Sequence, residues 1–123
     1  MRSGGVAAIS LKTGEKKWFT PLPGQRPGGA PQGQTAALTV IPGVVFSGGW
    51  DGILRAFSTE DGLQIWEVNT AQDYRTVNGV QAHGGSMAAP GPTIVGGRLF
   101  VGSGYLFGGG STPGNVLLAF SAE

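Results

Sequence analysis

An eleven-residue pattern occurs twice in the chain, and this repeat constrains the fold more than any other feature of the sequence. Residues 8–18 align without gaps on residues 56–66, and both copies read Ala-x-Ser-x-x-Thr/Asp-Gly-x-x-x-Trp. The pattern opens a third time at residues 119–121 with Ala-Phe-Ser. A repeat spacing of between 40 and 50 residues is typical of architectures in which one small supersecondary unit recurs along the chain.

The composition indicates which kind of unit recurs. The chain of 123 residues contains 24 glycines and 8 prolines, yet 40% of its residues are hydrophobic and stand in short runs between the glycines. This arrangement favours many short strands with tight turns, and no helix-period stripe of useful length is present. We therefore predict an all-β chain that forms a partial β-propeller of about two to two-and-a-half four-stranded antiparallel blades.

The predicted strands divide one domain, residues 1–123, into three parts. Residues 1–20 form the end of one blade, 35–68 a complete blade and 87–120 a final incomplete blade. When the strands of a blade are lettered A to D from the axis outward, the order along the chain is C-D, A-B-C-D, A-B-C.

Two tryptophans end the repeated pattern and fall on outer D strands. We expect Trp18 and Trp66 to lie against the neighbouring blade and to cover the small Ala56 and Ala119 there. Burying an indole stabilises a sheet by an amount on the order of a few kcal/mol. These side chains are therefore expected to hold blades together.

Charge, hydropathy and cysteine content exclude several classes of protein. The formal net charge is +1 and 12% of the residues are charged, without a basic cluster, so a nucleic-acid partner is not expected. No apolar run approaches the roughly 20 residues of a membrane helix, so no membrane partner is expected either. The chain has no cysteine for disulfides or thiolate chemistry. Its first residues lack the apolar stretch of a signal peptide.

The two copies of the pattern resemble the tryptophan-docking motif of propellers that bind pyrroloquinoline quinone (PQQ), with Ser at the third position where that motif usually has Asp. Segments of the C-terminal half are similar to the final blades of polyvinyl-alcohol-dehydrogenase-type quinoproteins; they are 76–80, 84–86, 102–105 and 113–120. The resemblance covers nearly the whole chain. It implies quinoprotein alcohol dehydrogenase activity on a small-molecule substrate, in a family that is typically periplasmic or secreted.

Members of that family close about eight blades into a ring, with the quinone and a Ca²⁺ ion on the central axis. This chain supplies about nine strands against roughly 32 in such a ring. PQQ is therefore expected only if an assembly completes the ring, and Ca²⁺ is a further candidate ligand. The exposed sheet edges predict a homo-oligomer.

The polar connection after the second blade carries the candidate catalytic residues. His83 is the sole histidine in the sequence, and an imidazole exchanges protons near neutral pH, which suits a general base. Ser86 follows it by three residues, and Asp73 is the nearest acid that could orient a Ser–His dyad. No Gly-x-Ser-x-Gly elbow accompanies them, and a surface loop side chain is the alternative interpretation of His83.

Aromatic and cationic residues near glycines are candidates for binding a flat anionic cofactor. Trp50 and Tyr105 could stack on a quinone, and Arg75 could hold one of its carboxylates. Covering of blade ends and a solvated strand-end charge are the alternatives. Asp51 and Asn78 offer the oxygen ligands that Ca²⁺ prefers, although both also suit ordinary turns.

Three functions remain open on the sequence alone. The first is a fragment-length relative of quinoprotein alcohol dehydrogenases. The alternative is a Ca²⁺-dependent hydrolase of esters or lactones on a propeller scaffold, with His83 or Asp73 as base. A second alternative is a non-catalytic, self-assembling interaction module that uses only the docking motif.

Overall fold

The computed structural model describes residues 4–22, 33–105 and 110–122 of the chain. Within these ranges the backbone forms strands and no helix, which confirms the predicted all-β class. Nor do they contain an apolar helix long enough to cross a membrane. The strands, numbered in chain order, are β1 (Gly5–Ile9), β2 (Lys16–Pro21), β3 (Thr35–Ala36), β4 (Thr39–Ile41), β5 (Val44–Gly48), β6 (Ile53–Ser58), β7 (Gln64–Asn69), β8 (Asp73–Arg75), β9 (Gln81–His83), β10 (Ala88–Ala89), β11 (Thr93–Val95), β12 (Arg98–Ser103) and β13 (Val116–Ser121).

Three antiparallel sheets form the body of the structure. The second sheet has four strands in the order β4-β5-β6-β7. The first sheet is the pair β1-β2, and the third has three strands in the order β11-β12-β13. The three sheets thus have two, four and three strands, which agrees with the expected order C-D, A-B-C-D, A-B-C and with a partial propeller. The blade boundaries given above stay a prediction.

Two details differ from the expected strands. Residues 35–41 do not form one strand, because β3 leaves the second sheet and pairs in parallel with β10. The Ala37 amide continues this pairing by donating to the Ala89 carbonyl at 3.1 Å. Residues 69–86, expected as a plain connection, contain the antiparallel hairpin β8-β9.

The alternation of side chains along β6 gives the second sheet a core on each face. Leu54 is fully buried between the second and third sheets, in a cluster with Ala36, Met87, Leu99 and Val101. Phe57 is fully buried on the opposite face, toward the first sheet, in a cluster with Val6, Leu22 and Val45. Three sheets are therefore packed face to face with the second in the middle.

Trp18 packs onto the second sheet at a different place from the one expected. Its indole N–H donates to the Thr59 carbonyl at 3.0 Å, and a Cβ on Gly62 would lie 2.5 Å from the ring. Trp18 does not cover Ala56, since that alanine lies on the other face of β6, opposite Trp66 on β7. The residue that must be small is thus the glycine of the turn.

Trp66 also departs from the expectation. It contacts Phe120 edge-on, with ring centroids 5.8 Å apart, and its side chain stays 40% exposed. Ala119, the residue it was expected to cover, is an exposed position of β13. Alternation along β13 turns Phe120 toward the second sheet and Ala119 away from it.

Candidate functional site

The long connections emerge at one end of the three sheets, which we call the loop edge: residues 33–38, 49–52, 69–92, 103–105 and 110–115. The opposite end, the turn edge, carries the short turns at residues 10–15, 42–43, 59–63 and 96–97. All eight candidate site residues belong to the connections of the loop edge: Trp50, Asp51, Asp73, Arg75, Asn78, His83, Ser86 and Tyr105.

Backbone segments from three connections meet at the loop edge with almost no space between them. A Cβ on Gly84 would overlap the Thr70 carbonyl, and one on Gly114 would overlap the His83 carbonyl. Gly104 adopts a φ of 109° and lies directly against Gly114. Only glycine allows this approach, so the glycines of residues 84–85, 104 and 114 form a structural junction.

Two buried hydroxyls complete the junction. The Thr70 hydroxyl donates to the Gly52 carbonyl at 2.7 Å and lies 2.7 Å from the Ser103 hydroxyl. Ser103 in turn accepts the Gly85 amide at 2.9 Å and lies 3.1 Å from the Gly85 carbonyl. Because Thr70 donates to Gly52, the single Ser103 hydroxyl proton serves either Thr70 or the Gly85 carbonyl at one time. The contacts join the end of β7, β12 and the segment after β9. Neither Thr70 nor Ser103 was a candidate from the sequence, and only their positions at strand ends could have indicated them.

Ser86 belongs to the same junction. It is fully buried, its hydroxyl donates to the Trp50 carbonyl at 2.7 Å, and it accepts the Thr112 amide at 2.7 Å. Its carbonyl accepts the amides of Gly104 and Tyr105, each at 2.9 Å. These bonds hold three connections together, and the Ser86 hydroxyl is not turned toward His83.

His83 and Asp73 are brought together on the hairpin. They are opposite one another in the β8-β9 register, and His83 Nδ1 lies 2.7 Å from Asp73 Oδ1. Both side chains reach solvent, 49% exposed for His83 and 78% for Asp73. The His83 backbone is fixed from the other side, since its amide donates to Asn115 Oδ1 at 3.0 Å and its carbonyl accepts the Asn115 amide at 2.8 Å. The pair leaves Nε2 as the ring nitrogen available to a substrate.

The two candidate metal ligands make different contacts within the chain. Asp51 is mostly buried and forms an ion pair of 2.6 Å with Arg55, whose side chain is 3% exposed. Asn78 lies in the turn between β8 and β9, where its side-chain oxygen accepts from the Thr76 hydroxyl and from the Val80 amide. Within the described ranges no three His, Asp or Glu side chains cluster as a metal would require.

The three candidate cofactor contacts differ in their exposure to solvent. Trp50 is partly buried beside Gly33, and its amide donates to the Gly33 carbonyl at 3.1 Å. Arg75 is exposed at the end of β8. Tyr105 is half-exposed, beyond the junction. Two of the three candidates are therefore open to solvent in one copy of the chain.

An apolar groove of about 600 Å³ lies at the turn edge, away from these residues. It runs between the second and third sheets and is lined on one side by Val44, Ile65 and Trp66 and on the other by Arg98 and Phe120. No candidate catalytic residue reaches it.

The packed antiparallel sheets and the docked Trp18 define a partial propeller. Similarity to known proteins indicates which class of propeller protein the chain resembles. No protein-family model matches the sequence. Over 97% of its length the chain is 44% identical to the polyvinylalcohol dehydrogenase of Pseudomonas sp and 39% identical to that of Sphingopyxis sp. (strain 113P3). It spans 20% of the length of each. The chain is therefore a fragment-length relative of the polyvinyl alcohol dehydrogenases, which confirms the resemblance to this type of quinoprotein.

Proposed function

We propose that the chain is a working part of a quinoprotein-type dehydrogenase that oxidises alcohols, and that its loop edge supplies the group that accepts the alcohol proton. Two observations support this. The relatives are named dehydrogenases of an alcohol polymer. The single observation that carries the chemistry is the His83–Asp73 pair of 2.7 Å on a hairpin that backbone contacts hold in place.

The pair has the geometry of an oriented base. Oxidising an alcohol removes a proton from the hydroxyl and a hydride from the carbon. His83 Nε2 is the atom that accepts the proton, while Nδ1 donates to Asp73. The carboxylate fixes the ring orientation and stabilises the imidazolium that forms.

The cofactor implied by the resemblance does not fit a single copy of the described residues. PQQ would supply the acceptor for the hydride, but its candidate contacts Arg75 and Tyr105 are open to solvent in a single copy. We therefore assign PQQ binding only to a completed ring. We do not assign a calcium site to Asp51, because its carboxylate already neutralises the buried Arg55.

No observation favours the hydrolase. A Ser–His mechanism needs the serine hydroxyl against the imidazole, whereas the Ser86 hydroxyl is bonded to backbone groups. We do not propose it.

The experiment measures dye-linked oxidation of primary and secondary alcohols, polyvinyl alcohol included, by the purified chain supplied with PQQ. His83→Gln should lower kcat by about 10²- to 10⁴-fold, the usual contribution of a general base. Asp73→Asn should lower kcat with little change in KM. Lys12→Ala, an exposed turn-edge position, is the control.

Two results would refute the proposal. One is a His83→Gln variant that turns over as fast as the parent chain. The other is absence of alcohol oxidation in an assembly shown to hold PQQ by its absorbance.

A further inference from the structure

We propose that Asn115 is a positioning residue for the imidazole of His83. By bonding the His83 backbone on one side, it keeps the ring against Asp73 on the other, with the proton on Nδ1 and the lone pair on Nε2. Asn115 acts through the backbone of His83 and not on the substrate. The inference deepens the proposed function, on which its importance for turnover rests, but its first test needs neither cofactor nor substrate.

Both main-chain groups of His83 point toward Asn115. The His83 amide donates to Asn115 Oδ1 at 3.0 Å, and the His83 carbonyl accepts the Asn115 amide at 2.8 Å. The amide and the carbonyl of one residue in a strand point to the same side of that strand, so those of His83 point away from β8. Asn115 is therefore the neighbour of His83 on the side of β9 opposite β8.

This direction determines how His83 faces Asp73. The two residues are opposite one another in the β8-β9 register, and in the next pair along the Gly84 amide donates to the Gln72 carbonyl at 2.9 Å. In an antiparallel ladder hydrogen-bonded pairs alternate with non-hydrogen-bonded ones, so His83 and Asp73 form a non-hydrogen-bonded pair. Side chains come closest in pairs of that kind, which accounts for the 2.7 Å contact between His83 Nδ1 and Asp73 Oδ1.

The same geometry gives Asn115 its role. A non-hydrogen-bonded pair adds no ladder bond of its own, so the main-chain groups of His83 depend on Asn115. His83 is the last residue of β9, a strand of three residues, and strand ends of this kind open most readily. Removing the Asn115 side chain takes away the acceptor of the His83 amide and should let this end of the hairpin fray away from Asp73.

The residue before Asn115 fixes its approach to the hairpin. A Cβ on Gly114 would lie 2.3 Å from the His83 carbonyl oxygen, and the Gly114 amide donates to the Gly104 carbonyl at 3.0 Å. Asn115 leads directly into β13, which pairs with β12. Asn115 thus connects His83 to the third sheet, so the position of the imidazole is set by the body of the structure and not by the hairpin alone.

The contact with Asp73 selects one tautomer of the neutral ring. An ionised carboxylate accepts hydrogen bonds and donates none, so Nδ1 must carry the proton. In a histidine without such a partner the neutral ring prefers its proton on Nε2, which leaves no lone pair there for the proton of an alcohol. Asn115 therefore favours the tautomer that the proposed base requires.

The tautomer can be measured directly, because the sequence contains a single histidine. In a chain labelled with ¹⁵N-histidine, the shifts of the two ring nitrogens give the ratio of the Nδ1–H form to the Nε2–H form. The spectrum is recorded above the pH at which the ring titrates in the same experiment. The parent chain should hold mainly the Nδ1–H form. Asn115→Ala should lower the ratio by up to about five-fold, the upper worth of an exposed pair of this kind.

Two matched variants separate positioning from general destabilisation. Asn115→Asp keeps an oxygen that accepts the His83 amide and should restore the ratio of the parent. Asn69→Ala removes another exposed asparagine of the loop edge, whose Oδ1 accepts the Ala71 amide at 2.9 Å, and should leave the ratio unchanged. Urea unfolding checks that each variant is folded under the conditions of the spectrum. In the turnover assay, Asn115→Ala should lower kcat by the same factor as the ratio, with little change in KM.

Three results would overturn the proposal. They are a parent ring protonated mainly on Nε2, a ratio that Asn115→Ala leaves unchanged, and a shift in Asn69→Ala as large as that in Asn115→Ala. A parent chain that shows the expected tautomer and its response to Asn115→Ala, yet oxidises no alcohol when it holds PQQ, supports the positioning role and refutes the dehydrogenase proposal. The two failures are therefore distinguishable.

Discussion

Two glycines at the same place in the repeat allow a matched test of the docking of Trp18 on the second sheet. Gly62 and Gly14 both lie in the turn after a strand that ends in the Ala-x-Ser pattern, and both have a φ of 75°. They differ in what surrounds them. A Cβ on Gly62 would lie 2.5 Å from Trp18 Cε3 and 2.7 Å from Thr20 Oγ1, and one on Gly14 would lie in open space.

The magnitudes follow from these surroundings. Alanine at either site must adopt a left-handed backbone, which costs about 1–2 kcal/mol in both variants. At Gly62 the methyl also displaces a rigid indole, and overpacking of this kind costs typically about 1–3 kcal/mol more. We therefore expect Gly14→Ala to lower the free energy of unfolding by about 1–2 kcal/mol and Gly62→Ala by about 2–5 kcal/mol.

Urea unfolding followed by tryptophan fluorescence measures both values, at a concentration where the chain is monomeric. Truncating the indole in Trp18→Ala should remove the part of the extra penalty that is due to the ring, so that the difference between Gly62→Ala and Gly14→Ala becomes smaller in that background. The contact with the Thr20 hydroxyl remains. Equal destabilisation of the two glycine variants in the parent background would refute the assignment of Gly62 as the docking position.

Two further predictions concern carboxylates. Asp51→Asn leaves the buried Arg55 guanidinium with only the half-exposed Glu67 carboxylate, 3.8 Å away, and should cost about 3–5 kcal/mol in urea unfolding. Glu67→Gln, at a carboxylate that is 53% exposed, should cost less than about 1 kcal/mol. The Leu63 amide, which donates to Asp61, is the main cause that lowers the pKa of the Asp61 carboxyl below its usual range. The stability it contributes is full above the unfolded pKa and is lost as pH falls through the folded pKa, so Asp61→Asn should flatten the acid side of the stability–pH curve.

Much of the fold could be predicted from the repeat and the glycines. Thr13-Gly14 and Asp61-Gly62 turn where the repeat indicates, and the strands on either side form the expected antiparallel pairs. The parallel pair β3-β10 could not be predicted, because strands of two residues show no periodicity and their pairing depends on sheet packing. The prediction that Ala56 lies under Trp18 was wrong. Side chains alternate between the two faces of β6, and this places Ala56 beside Trp66 of its own sheet.

The candidate site could be predicted less well. Asp73 and His83 were paired on chemical grounds, and the structure places them opposite one another because an unforeseen hairpin sets that register. Ser86 resembled a nucleophile in sequence, but burial and backbone hydrogen bonding are set by packing at the glycine junction. Asp51 was considered as a metal ligand, since nothing in the sequence shows that Arg55 is buried beside it.

The two ion pairs at the loop edge differ in burial, and this difference indicates which of them stabilises the fold. The Asp51–Arg55 pair is buried, so its loss leaves a charge in the interior. The His83–Asp73 pair is exposed on both sides, and pairs of this kind contribute at most about 1 kcal/mol to stability. The hairpin that carries it is instead held by the backbone contacts of His83 with Asn115. Asp73→Asn should therefore leave the urea midpoint almost unchanged, and any loss of turnover in that variant would reflect the orientation of the imidazole and not unfolding.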